Sequence, residues 1–413
     1  MERLKNLLGS DKNVGLHQYV NSILKGKELK RILEISIPLF FLSFSWAMVA
    51  SVFSIKVNQI TGDVFLSGIV FSIFFFVSIV MNLLLGILED KIIVSKFIKI
   101  ALFLHVPLPF LYLSARNFYH LILVRIYQAV ISSLFWCSTW TYLRKVVRKA
   151  HAGERIGILY VFSDLAYLLA LLIGGYLGNV NIDLPFYFFS IFAACSFVVS
   201  LKIEKVGKEE KLEFVRTAKL DFREFRRRFK FSLLFILVTL VICSASSLYS
   251  NFIPIILYNH GFTPLTISFV LLVQTIPTII LEIPMGIYID RFGWRKATLI
   301  GSSIVASAAL LLSLTLELIP VLIASFFYNL GLVFSSLVIN YVFTSSFPKG
   351  RIGFFTGVLE SVKHVGFGIG ALISGFLLKE VRFSKTFAIF SILLCLVALA
   401  CIFGEEKKIK KSP

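Results

Sequence analysis

Apolar runs long enough to cross a membrane recur along nearly the whole chain, and no other feature constrains its fold as strongly. A bilayer core about 30 Å thick is crossed by about 20 helical residues. Twelve runs of that order cover residues 32–57, 66–89, 97–113, 119–143, 156–177, 185–201, 231–258, 265–289, 297–316, 320–343, 353–378 and 383–403. Backbone facing lipid must satisfy its own hydrogen bonds, and the two-residue alternation of barrel strands is absent, so each run is predicted as a helix. Only 16% of the 413 residues are charged, against about 25% in soluble domains. The predicted fold class is therefore an all-α polytopic membrane protein. The first run follows a polar and mixed stretch, residues 1–31, and is expected to be a retained span rather than a cleaved signal.

The formal net charge is +19, but the bases sit in short segments between runs, so nucleic acid is not expected as a partner. One set of loops carries Lys27, Lys30 and Arg31, then Lys91, Lys96 and Lys99, then five bases from Arg144 to Arg155, then Arg291, Arg295 and Lys296, then Lys349 and Arg351. The alternate loops carry Lys56, Arg116 or nothing, apart from the last, which carries Lys379, Arg382 and Lys385. Bases accumulate on the cytoplasmic side, so both termini are predicted to be cytoplasmic, in the cell membrane.

The chain reads as two copies of one half. "GIYIDRFGWRKA" begins at Gly286 and "GILEDKIIVSK" at Gly86, and a constant spacing of 200 residues relates Gly86 to Gly286, Asp90 to Asp290, Lys91 to Arg291 and Lys96 to Lys296. A second pair of stretches, 154–175 and 350–371, matches at a spacing of 196 residues, relating Arg155 to Arg351, Gly157 to Gly353, Asp164 to Glu360 and Gly174 to Gly370. An even number of spans per copy makes the repeats parallel, related by an axis along the membrane normal. The expected organisation is a cytoplasmic segment 1–31, a six-helix bundle 32–201, a cytoplasmic linker 202–230, a second bundle 231–403 and a tail 404–413. In the linker, Phe214, Ala218, Phe222, Phe225 and Phe229 recur at helical spacing among bases. That pattern predicts an amphipathic helix on an anionic inner leaflet, the alternative being a loose tether.

These residues carry a resemblance. "GIYIDRFGWRKA" resembles the cytoplasmic loop signature of the major facilitator superfamily, and "GILEDKIIVSK" a first-half copy without its Arg-x-Gly-Arg centre. "VRIYQAVISS", with Arg125 and Gln128 and with Ala129 where a Gly is usual, resembles the fourth-span signature. Gly174 and Gly175 match half of the fifth-span signature of the drug-antiporter branch, whose Gly-Pro positions read Ala170 and Leu171. The resemblance implies two pseudo-symmetric six-helix bundles, a central cavity lined by spans one, four, seven and ten, and alternating access. In those spans the polar and aromatic residues include Ser43, Trp46, Ser51, Trp136, Trp140, Ser247, Tyr249, Asn251, Tyr328 and Asn340. Such a wall suits an amphipathic or aromatic solute better than a sugar.

The loop motif has a physical reading as a gate. Gly86 and Gly286 let a neighbouring backbone approach closely, and Asp90 and Asp290 end their spans where the positive N-terminus of another helix would attract them. Arg291, Arg295 and Lys296 then pair with acids or anionic lipid. Asp290 is expected near Arg155 and Asp90 near Arg351 when the cytoplasmic side is closed. Simple interfacial anchoring explains the bases but not a Gly and an Asp recurring at fixed spacing.

A charge at a helix centre costs about 2.5–3.5 kcal/mol on insertion scales, so each needs a reason. Arg125, Asp164, Glu282, Glu360, Lys363 and His364 are the candidates for coupling or substrate contact. Glu360, Lys363 and His364 share a helix face, either as an internal ion pair or as a coupling cluster. Glu282 answers Asn82 and is either a gate contact or a cavity acid. Counted from the span ends, Arg125 and Asp164 lie at depths differing by only several ångströms, so a pair between them is expected, leaving Glu360 as the proton carrier. His105, beside Pro107 and Pro109, is expected to be structural.

No catalytic motif, nucleotide cradle, metal-ligand set or cofactor site is present, and the five cysteines fall in or at the end of apolar runs without a C-x-x-C. The chain is not expected to be an enzyme. The leading expectation is a monomeric secondary transporter, proton-coupled, moving a small organic solute. A membrane sensor or scaffold on the same fold is the alternative.

Overall fold

The computed structural model describes residues 27–88, 93–146, 152–206, 233–346 and 352–403. Among them there are thirteen helical elements: α1 Lys27–Val49, α2 Phe53–Thr61, α3 Val64–Leu88, α4 Val94–His105, α5 Leu108–Ser114, α6 Phe118–Val146, α7 Ala152–Val180, α8 Leu184–Ser200, α9 Leu233–Asn259, α10 Pro264–Phe292, α11 Trp294–Leu314, α12 Leu318–Ser346 and α13 Ile352–Phe403. Ten helical stretches are long and apolar enough to cross a membrane, and α8 is a shorter apolar helix.

Three departures from the expected runs have local causes. The run 32–57 is broken at residues 50–52, where Ala50 N–H and Val52 N–H bond three residues back, to Ala47 O and Val49 O, in place of the four-residue pattern. The run 97–113 is broken at Val106 and Pro107, between α4 and α5, since proline has no N–H to continue the ladder. The runs 353–378 and 383–403 are two helices that meet without an intervening loop at a kink, Arg382 with non-helical φ 69° and ψ 165°, and α13 comprises both. α2 stops at Gly62, whose φ of 66° lets its N–H close on Asn58 O.

The packing partners repeat. In the first half α1 packs on α7, α3 on α6, α4 on α6, and α8 on α1 and α4. In the second half α9 packs on α13, α10 on α12, and α11 on both α12 and α13. Two further seams, α3 against α13 and α7 against α10, join the halves. Both are close at the end of the molecule that carries Asp63, where small residues let helices approach. A Cβ on Gly68 would lie 2.7 Å from Ala371 O and 3.1 Å from Gly375 Cα, and one on Gly175 would lie 2.2 Å from Ser268 Oγ. At the opposite end the segment after α8 folds back. Val206 O accepts from Val94 N–H, and Glu204 pairs with Lys30 at 3.2 Å and Arg31 at 2.9 Å. The remaining linker residues, 207–230, and both chain ends lie outside the described residues.

Candidate functional site

Glu360, Lys363 and His364 come together on one face of α13, as their spacing of three and four residues requires. Lys363 Nζ lies 3.0 Å from Glu360 Oε1, and His364 Nδ1 is 2.6 Å from Glu360 O. The imidazole sits 5.7 Å from the ring of Phe75 on α3 and 6.4 Å from that of Phe367, and those two rings stack at 5.2 Å. Ser361 Oγ donates to Ile79 O at 3.4 Å. The cluster therefore stands at the seam between the halves. Phe75 and Phe367 were not singled out from the sequence, since nothing distinguishes two phenylalanines among 43.

Arg125 does not pair with Asp164. Its residue is 4% exposed, and its guanidinium turns from α6 toward α3: Nε donates to Val70 O at 3.2 Å, Nη2 to Phe71 O at 3.4 Å and Nη1 to Gln128 Oε1 at 2.6 Å. Tyr112 also donates to Gln128 Oε1. The cation lies over Phe74, Phe53 and Phe71, 4.8, 5.3 and 5.8 Å from their centroids. Backbone carbonyls, an amide oxygen and ring faces solvate the charge without a carboxylate. Depth along the membrane normal predicted the pair, but depth says nothing about azimuth, and α7 faces α1 and α10 instead.

Asp164 is half-buried on α7. Leu171 and Gly175, seven and eleven residues on, share its face, and Gly175 packs on α10. Asp164 thus points along the second seam between the halves. It makes no ion pair with another described residue. The neighbouring Ser163 shares a 2.8 Å hydrogen bond with Ser43.

Several residues expected to line a cavity are instead packed inside their own half. Tyr249 and Tyr328 are fully buried and stacked at 4.7 Å, with Tyr328 OH donating to Ala245 O. Trp46 meets Phe189 and His105 edge-on at 4.9 and 6.4 Å. Ser51 and Ser247 are buried, and Asn251 Nδ2 donates to Ser247 O. Trp136 remains 41% exposed. Each helix has an inner and an outer face that a linear sequence does not mark. His105 is buried with Nδ1–H on Ala101 O at 2.7 Å, a satisfied core histidine.

Of the gate residues, Arg291 and Lys296 are exposed and Arg295 lies 5.4 Å from the Trp294 ring. Asp90 and Arg351 lie outside the described residues, as do the side chains of Asp290, Arg155, Glu282 and Asn340 and the surroundings of Gly86 and Gly286. Among the described residues no group of three His, Cys, Asp or Glu is placed to hold a metal ion.

The family model of the Major Facilitator Superfamily matches residues 35–248 and 234–413, one stretch on each half. The chain belongs to the major facilitator superfamily. An uncharacterised MFS-type transporter of Methanocaldococcus jannaschii is 23% identical over 381 residues, covering 90% of this chain and 98% of that one. Among solved structures, the nucleoside transporter NupG is similar with a TM-score of 0.73 and 15% identity, covering 91% of this chain and all of that one. A peptide transporter crystallised with sulfate gives a TM-score of 0.72 at 12% identity, covering 90% and 94% of the two chains. The human organic anion transporter TETRAN gives 0.67 at 13%, covering 91% and 100%. The fold is that of the superfamily, all-helical and embedded in a membrane. As a superfamily member the chain is a membrane transporter of a small-molecule solute and not an enzyme.

Proposed function

We propose that this superfamily member is a proton-coupled secondary transporter of a small amphipathic or aromatic organic solute, working as a monomer by alternating access. Its two bundles, 32–201 and 231–403, rock about the seams α3/α13 and α7/α10, with both termini and the linker 202–230 on the cytoplasmic side of the cell membrane against anionic lipid. The Asp63 end then faces outward. The solute class rests on the exposed Trp136 and on the Phe75–Phe367 stack beside the charged cluster. Nucleic acid plays no part.

The observation that carries the reading is a titratable cluster, Glu360 with Lys363 and His364, set where one half meets the other. Charges at membrane depth are expensive, and a purely structural seam would do as well with apolar residues. Asp164 occupies the matching position of the first half and faces the second seam. Without Arg125 as its partner, Asp164 joins Glu360 as a coupling carboxylate. Arg125 is the fixed cation beside Gln128, and Glu282, which answers Asn82 in the repeat, is a further candidate carboxylate. At the cytoplasmic side Gly86, Asp90, Gly286, Asp290, Arg291, Arg295 and Lys296 form the latch toward Arg155 and Arg351.

The test is transport in proteoliposomes with an imposed pH gradient. Glu360→Gln and Asp164→Asn should each abolish uphill movement while leaving solute exchange across the membrane. Uphill movement at the wild-type level in both variants overturns the coupling assignment.

A further inference from the structure

The end of the molecule that carries Asp63 is closed by a ladder of contacts between α3 and α13, which run antiparallel. Asp63 Oδ2 lies 2.7 Å from Lys379 Nζ. Below it the ring of Phe65 meets that of Phe376 edge-on at 6.1 Å, and the backbones of Gly68 and Gly375 touch. Deeper still, the Ser72 hydroxyl is shared between Gly68 O and Gly368 O, at 2.7 and 2.9 Å. The Asp63–Lys379 pair is the outermost rung. Every rung beneath it is van der Waals contact or a single hydroxyl.

The carboxylate of Asp63 is divided between two tasks. Its Oδ1 accepts from Phe65 N–H at 2.8 Å and Leu66 N–H at 3.0 Å, capping α3. That leaves Oδ2 aimed across the seam. Behind it the turn is fixed by Thr61 and Ser67, whose hydroxyls lie 2.8 Å apart, and by Ser67 Oγ donating to Asn58 Oδ1 at 3.1 Å. The cap immobilises the acid, so only Lys379 loses freedom when the pair forms, and the pair is stronger than two freely moving surface chains would make it. The side chains of Lys379 and Asp63 remain 47% and 26% exposed, so water reaches both ions as soon as they part. The pair also accounts for Lys379 standing in a loop whose bases run against the charge asymmetry of the other loops.

We propose that Asp63 and Lys379 form the outer latch of this transporter, closed in the state seen here and broken when α3 and α13 separate to open the site outward. The proposal rests on the alternating-access reading. On the other seam, Asn179 Oδ1 of α7 accepts from Leu265 N–H at 2.9 Å, so a neutral cap joins α10 to the opposite half there. The charged fastening is on the α3/α13 side, which also carries Glu360, Lys363 and His364.

The experiment uses the full chain with its five cysteines replaced by alanine and Ser72→Cys as reporter, since Ser72 is buried on the seam. Labelling by a membrane-impermeant maleimide is timed from the outside of reconstituted vesicles. Asp63→Asn keeps an oxygen for the cap and Lys379→Met leaves the cap untouched, so either variant folds if the other does not. Each should speed labelling about two- to fivefold, the range expected for one ion pair of this exposure, while Lys379→Arg should leave it at the original rate. Labelling that is measurable but equal in all variants overturns the latch and leaves alternating access standing. A reporter that reacts only after denaturation, in every variant, overturns alternating access and the latch with it.

Discussion

The guanidinium of Arg125 and the backbone of Phe71 are joined across two helices, Nη2 to the carbonyl at 3.4 Å and the cation 5.8 Å from the ring. Phe71 in turn meets Phe252 of the second half edge-on at 5.5 Å. Removing the arginine strands few groups. The carbonyls of Val70 and Phe71 lie inside α3 and keep their helical partners, and Gln128 keeps Tyr112. Removing a buried charge is costly where it leaves a counter-ion unpaired, and Arg125 has no carboxylate partner among the described residues to leave behind. Arg125→Met should therefore melt at or above the wild-type temperature in detergent. A drop of more than about 2 kcal/mol, the scale of a charged hydrogen bond, would show that Arg125 is a structural clamp instead.

Gly68 should tolerate no side chain. A Cβ there meets backbone, Ala371 O at 2.7 Å and Gly375 Cα at 3.1 Å, which cannot rotate out of the way. Gly68→Ala should fold but hold the α3/α13 seam apart, raising outside labelling of a Ser72→Cys reporter and reducing transport. At Gly175 the obstacles are as close, Ser268 Oγ at 2.2 Å, its fixed Cβ at 2.7 Å and the Leu265 Cα at 3.0 Å, so Gly175→Ala should strain the α7/α10 seam and reduce transport as well. Unchanged transport in both variants would argue against close contact at these seams.

Arg382 holds φ 69° and ψ 165°, a region that is essentially glycine's. Its side chain is exposed, so little is lost by truncation. The strain costs about 1–3 kcal/mol, and a glycine gives part of that back through unfolded-state entropy, about 0.4–1 kcal/mol. Arg382→Gly should stabilise by about 1 kcal/mol, read as a raised melting temperature. Arg382→Ala, which keeps a Cβ, should not.

The Asp63 carboxyl is held below the ordinary carboxylate range, first by its bond to Lys379 and then by the N–H groups of Leu66 and Phe65. A carboxylate lowered in the folded state contributes stability above its unfolded value, here 3.8, and loses it as pH falls through the lower folded value. Lys379, with Glu380 beside it, stays charged throughout this window. Closure of the Asp63 end should thus be flat from neutral pH down to about 4 and fail only below. The ratio of Ser72→Cys labelling to that of a permanently exposed cysteine measures it. A rise in that ratio already close to neutral pH would show that a group other than Asp63 governs closure.

The sequence by itself determined what depends on local chemistry. Apolar length fixed the helices, and proline at 107 fixed where one breaks. Two spacings, 200 and 196 residues, relate the two halves and align Asp164 with Glu360 in sequence. Spacings of three and four along one helix brought Glu360, Lys363 and His364 together, because the helix alone sets that geometry. Only the tertiary structure decided which face each helix turns inward. That is why Arg125 bonds to carbonyls of α3 and not to Asp164, why Tyr249 and Tyr328 stack in the core, and why Lys379 meets Asp63 from the other half. Depth can be counted along a helix, but rotation about its axis is set by the packing of all its neighbours, and no short stretch of sequence contains them.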